Sequence, residues 1–400
     1  MALAGPARTG AAYDVVIVGG AVTGSSVAFH LAADPAFTGR VLVLEQDPSY
    51  QRCASALSAA SIRQQYSTAI NVEISLHGIR FLREIGERLA VDGERPDIGL
   101  TEGGYLFLAG PEGRAALQAG HAVQVAQGAD IAFLEPDALA ARFPWLSVDD
   151  LSAGCFGVTG EGWFDGYGLM QAFRRKARAL GVDYRAARAQ GVRQAAGRVA
   201  AVVLEGGEEI ACGAVVNAAG AGGREIARSA GVDIPVHTKK RMIFTFTAED
   251  PVPGCPLLID PTGTYVRPEG RGFLCGAAPA PADDPDNVDF EVDHAFFEET
   301  VWPALAARIP AFERIRPGRA WAGHYDMNAF DQNAFIGDVE GVEGFYLANG
   351  FSGHGLQQSP AVGRGLAELI VHGRYVTLDL APLAFSRLAR NEPVRELKVV

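Results

Sequence analysis

The stretch Val15-Val-Ile-Val-Gly-Gly-Ala-Val-Thr-Gly-Ser-Ser-Val-Ala-Phe-His-Leu31, followed by Val41-Leu-Val-Leu-Glu45, decides how the rest of the chain is read. A short run of β-branched residues meets a glycine turn, a helical pattern leaves the turn, and a second apolar run ends in a carboxylate. Strand, turn, helix, strand and acid in that order form a dinucleotide clamp. Gly19, Gly20 and Gly24 allow the backbone to approach a pyrophosphate, and the amides at the positive end of the helix face it. Glu45, about twenty residues beyond the turn, stands where a carboxylate accepts hydrogen bonds from a ribose and disfavours a 2′-phosphate. Ala21 takes the middle position of the turn, where a third glycine is usual, and Thr23 follows it. The turn by itself does not separate NAD from FAD.

Two later segments repeat the strand–turn–helix theme. Ala214-Val-Val-Asn-Ala-Ala-Gly-Ala-Gly-Gly223 runs a buried strand into a glycine corner, and its Ala219 and Gly220 can lean on the same dinucleotide; an ordinary strand-to-helix corner is the alternative. In Gly344-Phe-Tyr-Leu-Ala-Asn-Gly-Phe-Ser-Gly-His-Gly-Leu-Gln-Gln358, a strand enters a loop with Gly350, Gly353 and Gly355, and a long helix departs. Exposed amides and a helix N-terminus there suit the electron-accepting edge of a ring, and a plain glycine turn with His354 in a core is the alternative.

Between these landmarks the pattern predicts a loop over 46–61, helices over 68–89, 112–125, 135–144 and 166–180, and a meander marked by Gly191, Gly197, Gly206 and Gly207. Strands are expected over 104–108, 241–248, 263–267, 272–276 and 319–325, with helices over 224–230 and 293–308. The resulting division is a discontinuous dinucleotide domain (13–95, 150–235 and 327–385), a sheet-based substrate domain (96–149 and 236–326), and terminal extensions (1–12 and 386–400). A mixed α/β fold follows, with a Rossmann-like domain and a second, antiparallel-sheet domain.

Composition narrows the function. The chain has 400 residues, 48% hydrophobic and 20% charged, with a net charge of −12, so it is long enough for two cores and poorly suited to attracting nucleic acid. Lysine is scarce: Lys176, Lys239, Lys240 and Lys398 are the only four. The five cysteines are scattered without a C-x-x-C pair or zinc spacing, so no metal site is expected and the thiols read as reduced. No apolar run is long enough to span a bilayer, and the first residues lack a secretory segment, so a cytoplasmic location is expected.

Taken together, the three glycine segments resemble those of the FAD-dependent amine and amino-acid oxidoreductases, which include glycine oxidase, sarcosine oxidase and dimethylglycine dehydrogenase. The resemblance covers about residues 13 to 385. Sharper likeness comes from Ser58-Ala-Ala-Ser-Ile-Arg-Gln-Gln-Tyr-Ser67, Tyr265-Val-Arg-Pro-Glu-Gly270, Trp321-Ala-Gly-His-Tyr-Asp326 with Asp331-Gln-Asn333, and Gly350 to Gln358. These look most like the branch containing the mitochondrial FAD-dependent complex I assembly oxidoreductase and its bacterial relatives.

The resemblance implies a glycine/D-amino-acid oxidase-like fold. It implies FAD on Gly19, Gly20, Ala21, Thr23, Gly24, Glu45, Gln46, Ser58, Ala60, Ser61, Ala219, Gly220, and Gly353, His354, Gly355, Leu356 and Gln357. Family members with covalent flavin use a histidine in the early loop or a cysteine before the last domain strands. Residues 46–66 hold no histidine and 316–338 no cysteine, so non-covalent FAD is implied. Tyr325 stands where glycine oxidases place a carboxylate-binding arginine, and Gln357 where sarcosine oxidases place a lysine, which departs from a glycine or sarcosine substrate.

The implied chemistry is hydride removal from a carbon bearing a neutral amine, followed by imine hydrolysis, with a small amino acid or amine as substrate and oxygen or another electron acceptor as partner. A substrate carboxylate calls for an arginine fork, and Arg267 and Arg63 are the candidates. Tyr265 shares a strand face with Arg267, Tyr325 rather than His324 is expected to face the pocket, and His354 is the titratable group expected nearest the ring. No general base is assigned. An oxidase and a dehydrogenase both remain open, with a slight preference for the latter. The rival readings are an FAD-binding assembly protein without robust turnover and a flavin-dependent oxidoreductase of 2-hydroxy acids.

Overall fold

A computed structural model describes residues 13–397. The sequence reading of the N-terminal segment as lacking a leader therefore lies outside the described residues, apart from Tyr13.

Tyr13–Val18 carries four consecutive apolar residues that are each at most 5% exposed, because both faces of the strand are covered. Such continuous apolar runs belong to parallel sheets. The strand pairs in parallel with Val41–Glu45 on one side and Glu209–Asn217 on the other. Phe345–Asn349 and Asp183–Ala186 extend the sheet in parallel, and Phe335–Asp338 closes one edge antiparallel. The predicted meander is Ala189–Ala195 and Arg198–Leu204 leading antiparallel into Glu209–Asn217.

Three helices cover this sheet and point their N-termini at one end. Val22–Ala33 is buried almost all round, packed between Gly166–Ala179 and Gly355–His372. The Asp165 side chain caps Gly166–Ala179 by accepting from Gly168 N at 2.9 Å. Gly373, at φ +69, ends Gly355–His372 in the left-handed conformation and donates its amide to Leu369 O.

The second sheet runs in the order Ile315–Asn328, Val236–Ala248, Gly272–Gly276, Tyr265–Glu269, Leu257–Ile259, Tyr105–Ala109, Ala153–Gly157, Ile131–Leu134. All its pairings are antiparallel except Leu257–Ile259 with Tyr105–Ala109. A small ribbon, Ser61–Ile62 with Gly162–Trp163, lies between the sheets in sequence and ties the early loop to the return from the second one. The expected mixed architecture is present, and the backbone pairing moves one boundary of the expected division. Ala153–Gly157 belongs to the second sheet, since its backbone pairs with Tyr105–Ala109 and Ile131–Leu134, so the chain crosses back after 157 rather than at 150. Within the terminal extension, residues 386–397 pack on the fold: Arg387 is buried, and its guanidinium grips Asp331 at 2.7 and 3.0 Å.

Two predicted helices are interrupted. The one over 68–89 breaks at Glu84 into Ala69–Arg83 and Ile85–Arg88. The one over 293–308 contains a π turn, Phe297–Val301, just before Pro303. Proline has no amide to donate to the preceding turn, and the backbone widens there.

Candidate active site

The first glycine turn is packed so tightly that side chains are excluded. A Cβ on Gly19, at φ +100, would lie 2.3 Å from Ala218 O, and one on Gly24 would lie 1.9 Å from Gly19 O. The turn thus touches the second glycine segment, which the sequence places about 200 residues away. Ala21 occupies the cap of the first helix and brings no side-chain acceptor, while Ser55 Oγ lies 3.3 Å from Val22 N. A helix start whose cap residue supplies no side-chain acceptor fits an anionic bridge. Glu45 ends its strand half-buried, accepting from Gly20 N at 2.9 Å and from Asp47 N at 2.8 Å, and burial pushes its carboxyl up. Gln46 is exposed on the loop beyond. At the second corner a Cβ on Gly220 or Gly222 would meet nothing, so the backbone beside Ala219 is open.

The third turn is held from below by Asp326. Its carboxylate accepts from Gly350 N at 2.7 Å and its carbonyl from Ser352 N at 3.1 Å. Burial pushes the Asp326 carboxyl up to about 6 against the amides of Gly350 and Phe351. Gly353, at φ +91, could carry no Cβ, because the ring of Tyr325 would lie 2.4 Å from it.

Three parts of the chain meet around one cavity. Ser58, Ala60, Ser61 and Arg63 come from the early loop, and Gly353, His354, Leu356 and Gln357 from the third turn. Tyr265 and Tyr325 come from the second sheet. Tyr105, Leu257 and Ile259 complete the wall, and sequence reasoning missed all three. They reach the cavity through the single parallel pairing of the second sheet, which no spacing announces. Burial raises the phenols of Tyr105, Tyr265 and Tyr325, which therefore stay protonated as hydrogen-bond donors.

Arg63 is 1% exposed, with its guanidinium 4.1 Å over the Tyr66 ring. It donates to Gln65 O and lies 3.0 Å from His354 Nε2. A guanidinium only donates, so Nε2 accepts and a neutral His354 ring carries its proton on Nδ1. Gln357 Oε1 accepts from Arg63 N at 3.0 Å, joining loop to turn. Glu161, also missed, is buried behind this loop and accepts from Gln64 N, from Gln65 N at 3.1 Å and from Gln65 Nε2 at 2.8 Å. Its only sequence signal is the glycine on either side.

Arg267 does not line the cavity. It lies on the Tyr265 face as expected, but its Nε and Nη2 donate to Ala59 O at 3.0 and 2.7 Å, and Nη1 meets Glu269. Lys239 and Lys240 pair with Asp286 and Asp289, also away from the cavity wall. Tyr325 faces the cavity, while His324 turns to Asp289 O at 2.7 Å.

The family described as "DAO: FAD dependent oxidoreductase" matches residues 14–369. The chain belongs to this FAD-dependent oxidoreductase family. Its cofactor is FAD, and the glycine turn before Val22–Ala33, packed on the second glycine segment, and the carboxylate ending Val41–Glu45 are arranged as that dinucleotide requires. Among similar members is the FAD-dependent oxidoreductase domain-containing protein 1 of Xenopus laevis, 41% identical over 97% of this chain and 85% of that protein. The mitochondrial sarcosine dehydrogenase of Mus musculus is 25% identical over 90% of this chain and 40% of its own length. In fold, the oxidoreductase matches an L-proline dehydrogenase from P. horikoshii with a TM-score of 0.84 at 24% identity, covering 96% of this chain and 100% of that one. A glycine oxidase from Geobacillus kaustophilus matches with a TM-score of 0.81 at 23% identity, covering 94% and 99%. Among the described residues no cluster of three or more His, Cys, Asp or Glu could hold a metal ion, and no helix is long and apolar enough to cross a membrane.

Proposed function

We propose that this oxidoreductase oxidises the C–N bond of a small amino acid or an N-substituted amino acid. The observation that carries the reading is the cavity where Arg63 and the phenols of Tyr105, Tyr265 and Tyr325 meet the Gly353–Gln357 turn. FAD, when bound, supplies the hydride acceptor.

The chain's own residues supply the rest. Gly19 to Gly24 and the first helix hold the pyrophosphate, Glu45 the ribose, and Ala219 and Gly220 lean on the dinucleotide. Ser58 to Ser61 and Gly353 to Gln357 frame the ring, without a covalent link, since 46–66 hold no histidine and 316–338 no cysteine. Arg63 and the hydroxyls of Tyr265 and Tyr325 neutralise and orient the substrate carboxylate, and Leu257 and Ile259 exclude water from the reacting carbon. A hydride leaves the carbon beside a neutral amine, and the resulting imine takes up water to give a carbonyl compound and a free amine. The cavity wall carries no lysine, which favours an electron acceptor other than oxygen.

Anaerobic titration of the yellow protein with primary, N-methyl, cyclic and dicarboxylic amino acids tests this reading. Bleaching by one class supports it, and slow recovery of colour in air supports a dehydrogenase. Bleaching by a 2-hydroxy acid but not by its amino counterpart overturns the C–N assignment, and no bleaching by any of them leaves an FAD-binding role without turnover.

A further inference from the structure

Behind the Arg63 wall lies a carboxylate from the far end of the chain. Glu396 is fully buried at the start of Ala69–Arg83. Its Oε1 accepts from Ser67 N at 2.9 Å and Ser67 Oγ at 2.8 Å, and its Oε2 from Thr68 Oγ1 at 3.2 Å and Asn71 Nδ2 at 3.1 Å. Asp331 pins the segment that delivers it, accepting from Val394 N at 3.0 Å through its carboxylate and from Glu396 N at 3.0 Å through its carbonyl. Asn71 carries the connection onward: its Oδ1 accepts from Gln358 Nε2 at 3.1 Å, beside the Gln357 that holds Arg63 N.

A guanidinium as buried as that of Arg63 is costly unless a negative charge lies within reach. Two buried carboxylates interact electrostatically with Arg63, Glu161 and Glu396. Burial pushes Glu161 up to about 7. Burial also opposes ionisation of Glu396, but the charge of Arg63 and the hydrogen bonds of the Ser67 amide and Asn71 outweigh it and hold that carboxyl below its ordinary range. Of the two, Glu396 is the lasting anion.

We propose that Glu396 is a positioning residue for the reaction: its buried charge balances Arg63, keeps the guanidinium on His354, and sets the electrostatic potential met by the flavin ring. The proposal rests on the reading that this cavity holds the ring. A helix cap alone would need the hydrogen bonds and not the charge, and the two roles separate in the flavin's electronic properties.

The test uses the FAD-loaded protein with Glu396→Gln, Arg63→Gln and the double variant, and reads the flavin midpoint potential and the dissociation constant of sulfite. Sulfite bonds through sulfur to N5 of oxidised flavin and leaves negative charge on the ring, so nearby positive charge tightens it. Glu396→Gln is expected to raise the potential and tighten sulfite about fivefold to tenfold, Arg63→Gln to do the reverse, and the double variant to return near wild type. Unchanged readings for Glu396→Gln alongside shifted readings for Arg63→Gln overturn the proposal. Unchanged readings for both overturn instead the placement of the ring in this cavity. If Glu396→Gln fails to retain FAD, the double variant decides: restored FAD content supports charge balance, and an equal or greater loss shows a purely structural carboxylate.

Discussion

Arg267 shows what a residue's neighbours add to its type. An arginine on a pocket-facing strand suits a substrate carboxylate, yet here two of its donors hold Ala59 O, inside the loop that frames the ring. Charge-assisted hydrogen bonds of this kind contribute about 1.5–3 kcal/mol each. Arg267→Ala is therefore expected to weaken FAD binding by about tenfold or more, measured by flavin release on dilution. A raised substrate constant with unchanged FAD affinity would return Arg267 to the substrate. Glu161 makes a second prediction at this scale. Burial raises its pKa to about 7 against the hydrogen bonds of Gln65 and Gln64 and the field of Arg63. A carboxyl raised in the folded state binds more protons there than when unfolded, so its contribution to stability is complete below about 4.5 and is lost as pH rises to about 7. The stability of wild type relative to Glu161→Gln should fall by about 3 kcal/mol across that window and stay level above it. Denaturant titrations at several pH values measure the difference, and a difference independent of pH would show a carboxyl that ionises normally.

At the scale of elements, the two helices that present the first and third turns are locked at one crossing. Ser26 Oγ donates to Ser359 O at 2.7 Å, and a Cβ on Gly363 would lie 2.1 Å from Ser26 Oγ and 2.7 Å from its carbonyl carbon. The helices Val22–Ala33 and Gly355–His372 can approach this closely only because Gly363 has no side chain. Gly363→Ala should cost about 1–3 kcal/mol and lower FAD affinity with it, since one helix must move and carry its turn away from the other. Thermal unfolding with and without added FAD checks this, and a loss of stability at full FAD affinity would show that crossing and turns are independent. The same helices explain what could be read without a structure. Tyr13–Val18, Val22–Ala33 and Gly355–His372 announce themselves because strand, glycine and helix signals agree within a few residues. The π turn before Pro303 and the break at Glu84 were illegible, because packing tolerates an interruption that periodicity does not register. Tyr105, Ile259, Glu161 and Glu396 were missed for a different reason: their roles come from pairings between distant strands and from the folding back of the tail, neither of which leaves a local pattern.

The whole molecule closes around a ligand that its local sequence motifs announce only in pieces. Gly19 to Gly24, Ala219 and Gly220, Ser58 to Ser61, and Gly353 to Gln357 are far apart in the chain, and FAD bound as proposed would touch all of them. Several of these contacts exist without it: Gly19 packs on Ala218, and Gln357 holds Arg63 N. The loop 46–61 is held by separate ties along its length: Ser55 to Val22 N, Leu57 O to Trp321, Ala59 O to Arg267, and Ala60 O to Phe164 N. Removing FAD should leave both sheets folded and expose this loop first, because its ties are isolated hydrogen bonds and not the ladder of a sheet. Limited proteolysis of FAD-free protein should cut within 46–61, and FAD should suppress the cut. By mass action, free FAD at about one hundred times its dissociation constant should add about 2.7 kcal/mol to global stability, with a melting temperature that rises with FAD concentration. If the melting temperature rises while the loop stays equally cleavable, FAD binds without ordering 46–61, and the ring contacts assigned to Ser58, Ala60 and Ser61 are wrong.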